Sequence, residues 1–542
     1  MSEEALFDYV VVGAGSAGCV VANRLSADPN TRVALLEAGG EDRGFWLRLP
    51  VGYFRSINDP KHSRHFPTEP SEGFNGRVIS WPRGRVLGGS SSINGLVFIR
   101  GQRGDFDRWE AAGAEGWGWG DVAPHFRRLE RFDGPESQER GALGEMPVAR
   151  LRNDHPFCAA WLEAAQEYGL PFNPDFNGPM AEGVGAYDLS IGRRWRASAA
   201  RAFLHPVSDR TNLTIRKRVE VTRILFDDAS PSRAIGVALR DADGATHELR
   251  ARREVILCAG AIQSPQLLQL SGIGPGENLS ALGIEVRVDR PEVGGNLQDH
   301  YQMRTIVRMN RRRSLNDEVR HPYYLARMGL DWLLRGRGPL TIGAGQVGGA
   351  ASTKHADPGR PDVQFNIMPL SVDRPGAPLH RYSGFTAAVW QCHPESRGRL
   401  NIVSPDPGAD PRIEPNYLSA PRDGATLVEG VRMLRAIYRQ PAFRDLWDEE
   451  IAPGADVKSD QELLEACRKG GGTVYHPVGT CRMGADGDAV VDPRLRVRGV
   501  RGLRVVDASV MPLVTSANTN APTLMIGEKG AAHILDDWKD VS

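Results

Sequence analysis

The chain has few cysteines and places none of them as a pair. Six thiols are spread over 542 residues, at Cys19, Cys158, Cys258, Cys392, Cys467 and Cys481. No two have the C-x-x-C spacing of a zinc site or a dithiol redox centre, so no metal is expected. Net charge is lacking too. Lys plus Arg and Asp plus Glu each number 67, which gives no electrostatic reason to expect nucleic acid or a membrane as partner. No run of about 18 apolar residues occurs, so nothing reads as a bilayer span. Glu3 and Glu4 precede the first apolar run, without the basic and then apolar stretch of a secretory signal, so the expected location is cytoplasmic. Arg193, Arg194 and Arg311, Arg312, Arg313 read as solvated surface. Residues 323 to 334 set Tyr, Trp and Leu beside Arg and read as an ordinary packed helix, with an interfacial membrane contact as the alternative.

What is present begins at residue 7. Residues 9 to 12, Tyr-Val-Val-Val, read as a strand buried on both faces. Gly13, Gly15 and Gly18 follow in the G-x-G-x-x-G pattern, with Ser16 and Ala17 between them. A helical stripe through Cys19, Val20, Ala22 and Leu25 comes next, then a second strand ending at Glu37 and Ala38. The first glycine permits a tight turn, the second lets a pyrophosphate approach the backbone, and the third lets helix and strand pack closely. Free N–H groups and the dipole at the helix start favour the phosphates. Glu37 stands where an acid accepts from the adenosine ribose. This constellation predicts a dinucleotide site but does not separate a nicotinamide from a flavin.

A second loop of small residues runs through Val86, Gly88, Gly89, Ser90, Ser91, Ser92, Ile93, Asn94 and Gly95 to Val97. Its backbone N–H groups and hydroxyls suit a phosphate or a flat ring. Residues 211 to 257 alternate as strands, and residues 258 to 261 form another turn of small residues between strand and helix. From 301 to about 470 helices mix with alternating strands and no glycine pattern recurs, which suggests a region that shapes a substrate cavity. Near the end stand a polar loop with Tyr475 and His476, a strand closing at Asp507 and Ala508, and Asn520, Ala521 and Pro522 opening a helix with Asn520 as the expected N-cap.

Taken together, these segments resemble the glucose-methanol-choline (GMC) oxidoreductases, a family of flavoenzymes, over essentially the whole chain. The N-terminal segment ending at Glu37 matches. So do residues 84 to 101, residues 260 to 274, and the closing pair of His476 in His-Pro-Val-Gly-Thr with Asn520 in Asn-Thr-Asn-Ala-Pro. The resemblance implies an α/β fold. A discontinuous Rossmann-like FAD domain is expected at 1–155, 211–305 and 471–542. An α+β substrate domain with an antiparallel sheet is expected at 156–210 and 306–470. It implies FAD held along Asn94 to Val97, with Val219 near the adenine. Ile93 occupies the position where many members carry a histidine bonded to the flavin, so FAD is expected to be non-covalent. The implied chemistry is oxidation of a small alcohol, with His476 taking the hydroxyl proton and Asn520 orienting the oxygen. Histidine is suited to that step near neutral pH. A non-oxygen electron acceptor of unknown identity is expected. The alternatives are an oxidase using oxygen, or a non-oxidising member such as a hydroxynitrile lyase or a fatty-acid photodecarboxylase. Trp390 and Phe365, on alternating strands, are candidate substrate contacts. Choline would need an aromatic or acidic seat for its ammonium, and the sequence offers no clear one.

Overall fold

The computed structural model describes residues 6 to 539, apart from 136, 151 to 154, 311 to 313 and 375. The basic run at 311 to 313 therefore lies outside the described residues. The chain opens with β1 (Leu6–Val12), α1 (Ser16–Leu25) and β2 (Val33–Glu37). Next come β3 (Gly183–Ala186), β4 (Leu213–Lys217), β5 (Glu220–Asp227), β6 (Ser230–Arg240), β7 (Thr246–Leu257) and α2 (Gly260–Leu270). A second group holds β8 (Tyr301–Met309), β9 (Val347–Ala351), β10 (Val363–Met368), β11 (Gly384–Gln391), α3 (Pro421–Tyr438), β12 (Trp447–Ala452) and β13 (Gly472–Thr473). β14 (Leu503–Val505) and α4 (Asn520–Asp537) close the chain.

Two seven-stranded sheets result. In the first, the order is β4-β2-β1-β7-β6-β5, with β14 also paired to β7. Its β4, β2, β1, β7 and β14 run parallel, while β5, β6 and β7 form an antiparallel meander. The central strands are the apolar runs read from the sequence, because a parallel strand covered on both faces has no polar side to show. The second sheet has the order β12-β8-β11-β10-β9-β3, with β13 on β8. All its pairings are antiparallel. α3 buries Leu427, Val431 and Leu434 with Val363, Phe365 and Val389 of this sheet in one apolar core. The fold is thus α/β, a dinucleotide-type sheet joined to an antiparallel substrate-side sheet.

The stretch expected as an ordinary packed helix differs. It is helical over Pro322–Leu330, and Met328 is its one buried residue. Tyr323, Leu330 and Leu334 are 63%, 55% and 73% exposed. Among the described residues no helix is long and apolar enough to cross a membrane.

Candidate active site

The turn after β1 is built by exclusion of side-chain volume. Gly13 has φ +101°, and a Cβ there would stand 2.5 Å from the Cys258 carbonyl oxygen. A Cβ on Gly18 would stand 1.9 Å from the Gly13 carbonyl oxygen, so α1 can lie on the turn only because that residue is glycine. The Gly18→Ala protein should lose about 1–3 kcal/mol of stability by overpacking, and thermal unfolding followed by circular dichroism checks it. Gly89, at φ +53°, closes the second loop against the first, with its Cβ position 2.8 Å from Gly15 Cα. Glu37 accepts from Ala14 N at 3.0 Å and Gly39 N at 2.7 Å. Burial pushes its carboxyl up to about 7, against the pull of those two bonds.

These residues line part of one cavity. Gly13, Gly15, Ser16, Ala17, Glu37 and Ala38 contribute from the first loop and β2. Gly89, Asn94, Gly95 and Val97 come from the second loop, Val219 from the residue just before β5, and Tyr475, Asp507, Ala508 and Asn520 from the C-terminal part. Gly18, Val86 and Ala521 stand behind this wall as packing. Ile93 lines the cavity with an apolar side chain that is 3% exposed. Asp507 accepts from Gly260 N at 2.9 Å, Ser264 Oγ at 2.6 Å and Ser509 N at 2.8 Å, tying the start of α2 to the turn after β14.

On the same cavity wall, His476 is held from three sides. Its backbone N–H donates to Asp299 Oδ1 at 2.7 Å. Asp299 also accepts from Thr473 Oγ1 at 2.6 Å and from the Tyr417 hydroxyl, and burial pushes its carboxyl up to about 6. His476 Nδ1 lies 2.9 Å from His300 Nδ1, and His300 Nε2 lies 3.1 Å from the Cys392 carbonyl oxygen. That carbonyl can only accept, so His300 carries its proton on Nε2. Burial pushes His300 down to about 4, so at neutral pH its Nδ1 is a bare acceptor. His476 must then donate from Nδ1, which leaves its Nε2 unprotonated, with a lone pair that accepts. Asn518 Nδ2 donates to that atom at 3.1 Å. The Asn518 Oδ1 is buried without a partner among the described residues. Burial holds His476 well below the usual imidazole value, and His300 and Arg83 add to the effect.

Three expectations change here. Asn520 is not the helix cap: Thr519 is, and Asn520 is the first helical residue. Its Oδ1 accepts from Ser16 Oγ at 2.8 Å, which ties it to the glycine turn. The asparagine that meets His476 is Asn518, two residues earlier; both residues line the cavity, and only packing shows which one reaches the imidazole. Phe365 faces away from the cavity, fully buried against Trp161 with ring centroids 6.3 Å apart. Its strand neighbour Asn366 lines the cavity instead, since consecutive residues on a strand face opposite ways. Trp390 is fully buried too and backs the histidine pair, with its ring 6.4 Å from His300 and 6.5 Å from His476. Asp299 and His300 were missed. Their signal was a polar Gln-Asp-His triplet immediately ahead of an apolar strand.

A parallel sheet with glycine turns at its carboxyl edge, opening into a cavity that holds a tautomer-fixed histidine, defines a dinucleotide-dependent oxidoreductase. Two family models place the chain within that class. They match residues 7–302 and 394–527, both described as GMC oxidoreductase, and the chain belongs to that family. It is 42% identical over 540 residues to an alcohol dehydrogenase (acceptor) of Pseudomonas putida, covering 98% of this chain and 96% of that one. It is 41% identical to the mitochondrial choline dehydrogenase of Homo sapiens, covering 97% and 89%. Among solved structures, pyridoxine 4-oxidase from Mesorbium loti superposes with a TM-score of 0.87 at 30% identity, covering 97% and 98%.

Proposed function

We propose that the protein oxidises an alcohol to the carbonyl with FAD, using His476 as the base and Asn518 to orient the carbinol oxygen. The observation that carries this reading is the unprotonated His476 Nε2, fixed as an acceptor by the Cys392–His300 chain, on the wall of the cavity that the glycine turns also line. The residues present fit FAD. The glycine turns leave bare backbone where a pyrophosphate would lie, Glu37 offers a carboxylate to ribose hydroxyls, and Asn94 to Val97 present backbone and apolar surface to the cavity, which suits a flat ring. When bound, FAD supplies the acceptor for the hydrogen that leaves the carbinol carbon as hydride. The chain's own part is the proton. His476 Nε2 takes it from the hydroxyl, and the charge that develops on the imidazole stays on a ring whose Nδ1–H is already bonded to His300. As the substrate hydroxyl takes over the bond to Nε2, the Asn518 amide N–H that now occupies it can turn to the carbinol oxygen and hold that oxygen after the proton has moved. The α4 helix begins beside this site, and its positive terminus favours negative charge there.

The names of the relatives support alcohol oxidation as the reaction class. An anaerobic visible spectrum of the holoenzyme with a panel of alcohols tests it: bleaching of the flavin band is expected, and no bleaching by any alcohol sinks the reading. FAD is held without a covalent bond, because Ile93 offers no nucleophile. Acid denaturation and ultrafiltration should send the yellow colour into the filtrate, and colour kept on the chain would refute this. A non-oxygen acceptor reoxidises the cofactor, so turnover with an artificial dye should exceed oxygen consumption. The pH profile follows from His476. A base acts deprotonated, so activity is present above its pKa and lost as pH falls through it. With that pKa held well below 6.5 by burial, kcat/KM should be flat through neutral pH and fall only on the acid side. A limb centred between pH 7 and 8 would contradict the assignment.

A further inference from the structure

The reacting end of the cavity carries charge that proton abstraction does not use. β8 turns Gln302 and Arg304 to the same side, and both line the cavity. In register, Arg304 stands opposite Ala388 of β11, and Ala388 opposite Asn366 of β10; both neighbours also line the cavity. The small alanine between them leaves open space beside the guanidinium. Among the described residues no carboxylate pairs with Arg304 and no hydrogen bond satisfies it. The groups that bear on its charge are the hydroxyls of Tyr475 and Tyr53. Arg83 adds a second cation to this wall, with its own N–H groups donated to the Pro82 and Tyr475 carbonyls. The acids on the cavity wall are Glu37, Glu220 and Asp507, all from the first sheet or its turns. The cavity wall at the reacting end therefore has two guanidiniums, neutral amides and an apolar side with Phe54, Ile57, Met368 and Val372, and no carboxylate; Asp299 lies behind it, bonded to His476 N, Thr473 and Tyr417 and bearing on Arg83 rather than Arg304.

An ammonium substrate would meet repulsion there in a site of low dielectric. A neutral alcohol would leave a desolvated guanidinium without a partner, which is costly. A carboxylate answers both, through the planar bidentate pairing that arginine favours. We propose that the preferred substrate is an alcohol that also carries a carboxylate, with Arg304 as its anchor, and that choline-type ammonium alcohols are rejected. The spacing selects the kind of acid. His300, which holds His476, is four residues before Arg304, about 13 Å of extended chain. Carbinol and carboxylate then stand several bonds apart, as in an ω-hydroxy acid rather than an α-hydroxy acid.

The inference rests on the alcohol-oxidation reading, and its test separates the two. With a dye acceptor, the wild-type holoenzyme should show kcat/KM for 6-hydroxyhexanoate roughly 10²- to 10³-fold above that for 1-hexanol, with choline weakest. Arg304→Gln should remove that advantage, chiefly through KM, and leave 1-hexanol within about threefold; Arg304→Lys should recover part of it. Hexanoate, which cannot be oxidised, should perturb the flavin spectrum of the wild type and not of Arg304→Gln. Three results would overturn the proposal. One is choline turned over as well as the hydroxy acid. Another is hexanoate binding that is unchanged by the substitution. The last is an Arg304→Gln protein slowed equally on every alcohol with a shifted flavin potential, which would assign the arginine to the cofactor. If no alcohol is oxidised, the reaction class fails, and the hexanoate titration still decides whether Arg304 seats an anion.

Discussion

Replacing His476 by alanine lowers kcat for alcohol oxidation by roughly 10²- to 10⁴-fold, the usual worth of a positioned base, while FAD stays bound. The fold should survive the change. The bond from residue 476 to Asp299 is made by the backbone N–H, which alanine keeps. What is lost is the only imidazole whose Nε2 is both unprotonated and next to the cavity asparagine among the described residues. Stopped-flow reduction of the flavin by substrate reads the step directly, and a variant with near wild-type turnover would remove His476 from the chemistry. His300→Phe is the companion. It keeps a ring in place but withdraws the acceptor that holds His476 in its Nδ1–H form. It should slow the same step less severely and move the acid limb of the pH profile, which a purely structural role would not do.

Asn518→Ala and Asn520→Ala should part company. Asn518 donates to His476 Nε2 and leaves its own oxygen unpartnered, so alanine there should cost roughly 10²-fold in kcat, the scale of one lost transition-state hydrogen bond. Asn520 accepts from Ser16 in the glycine turn. Alanine there should weaken FAD retention and lower thermal stability, with kcat of the FAD-saturated enzyme changed only a few-fold. The opposite pattern, with Asn520→Ala dead and Asn518→Ala active, would return the catalytic role to the residue that the sequence favoured. Dilution of the holoenzyme with flavin fluorescence as readout measures the first property, and steady-state rates at saturating FAD the second.

The strands of the first sheet were legible where they are buried and illegible where they are not. β1 and β2 are continuous apolar runs because helices or further chain cover both faces. The first eight residues of β7, Thr-His-Glu-Leu-Arg-Ala-Arg-Arg, are largely solvated in the antiparallel meander and carry little apolar signal. Phe365 shows the complementary failure. A buried aromatic on a strand looks the same in sequence whether its face meets a substrate or a helix, and here it meets Trp161.

Local chemistry was set by the sequence alone wherever sterics forbid alternatives. Gly13 and Gly18 admit no side chain against the Cys258 and Gly13 carbonyls, so a dinucleotide turn could be read from spacing, and Glu37 and the second small-residue loop followed with it. The family motifs then singled out His476. What only the tertiary structure decided is which groups converge on that histidine. Asp299 with His300, the Cys392 carbonyl and Asn518 come from three separate stretches of chain, and their pairing depends on strand register and side-chain direction across two sheets. A hydrogen bond forms or fails over a few tenths of an ångström. No pattern in one dimension encodes that distance, and so the tautomer of the base and the lone charge of Arg304 become visible only once the chain is folded.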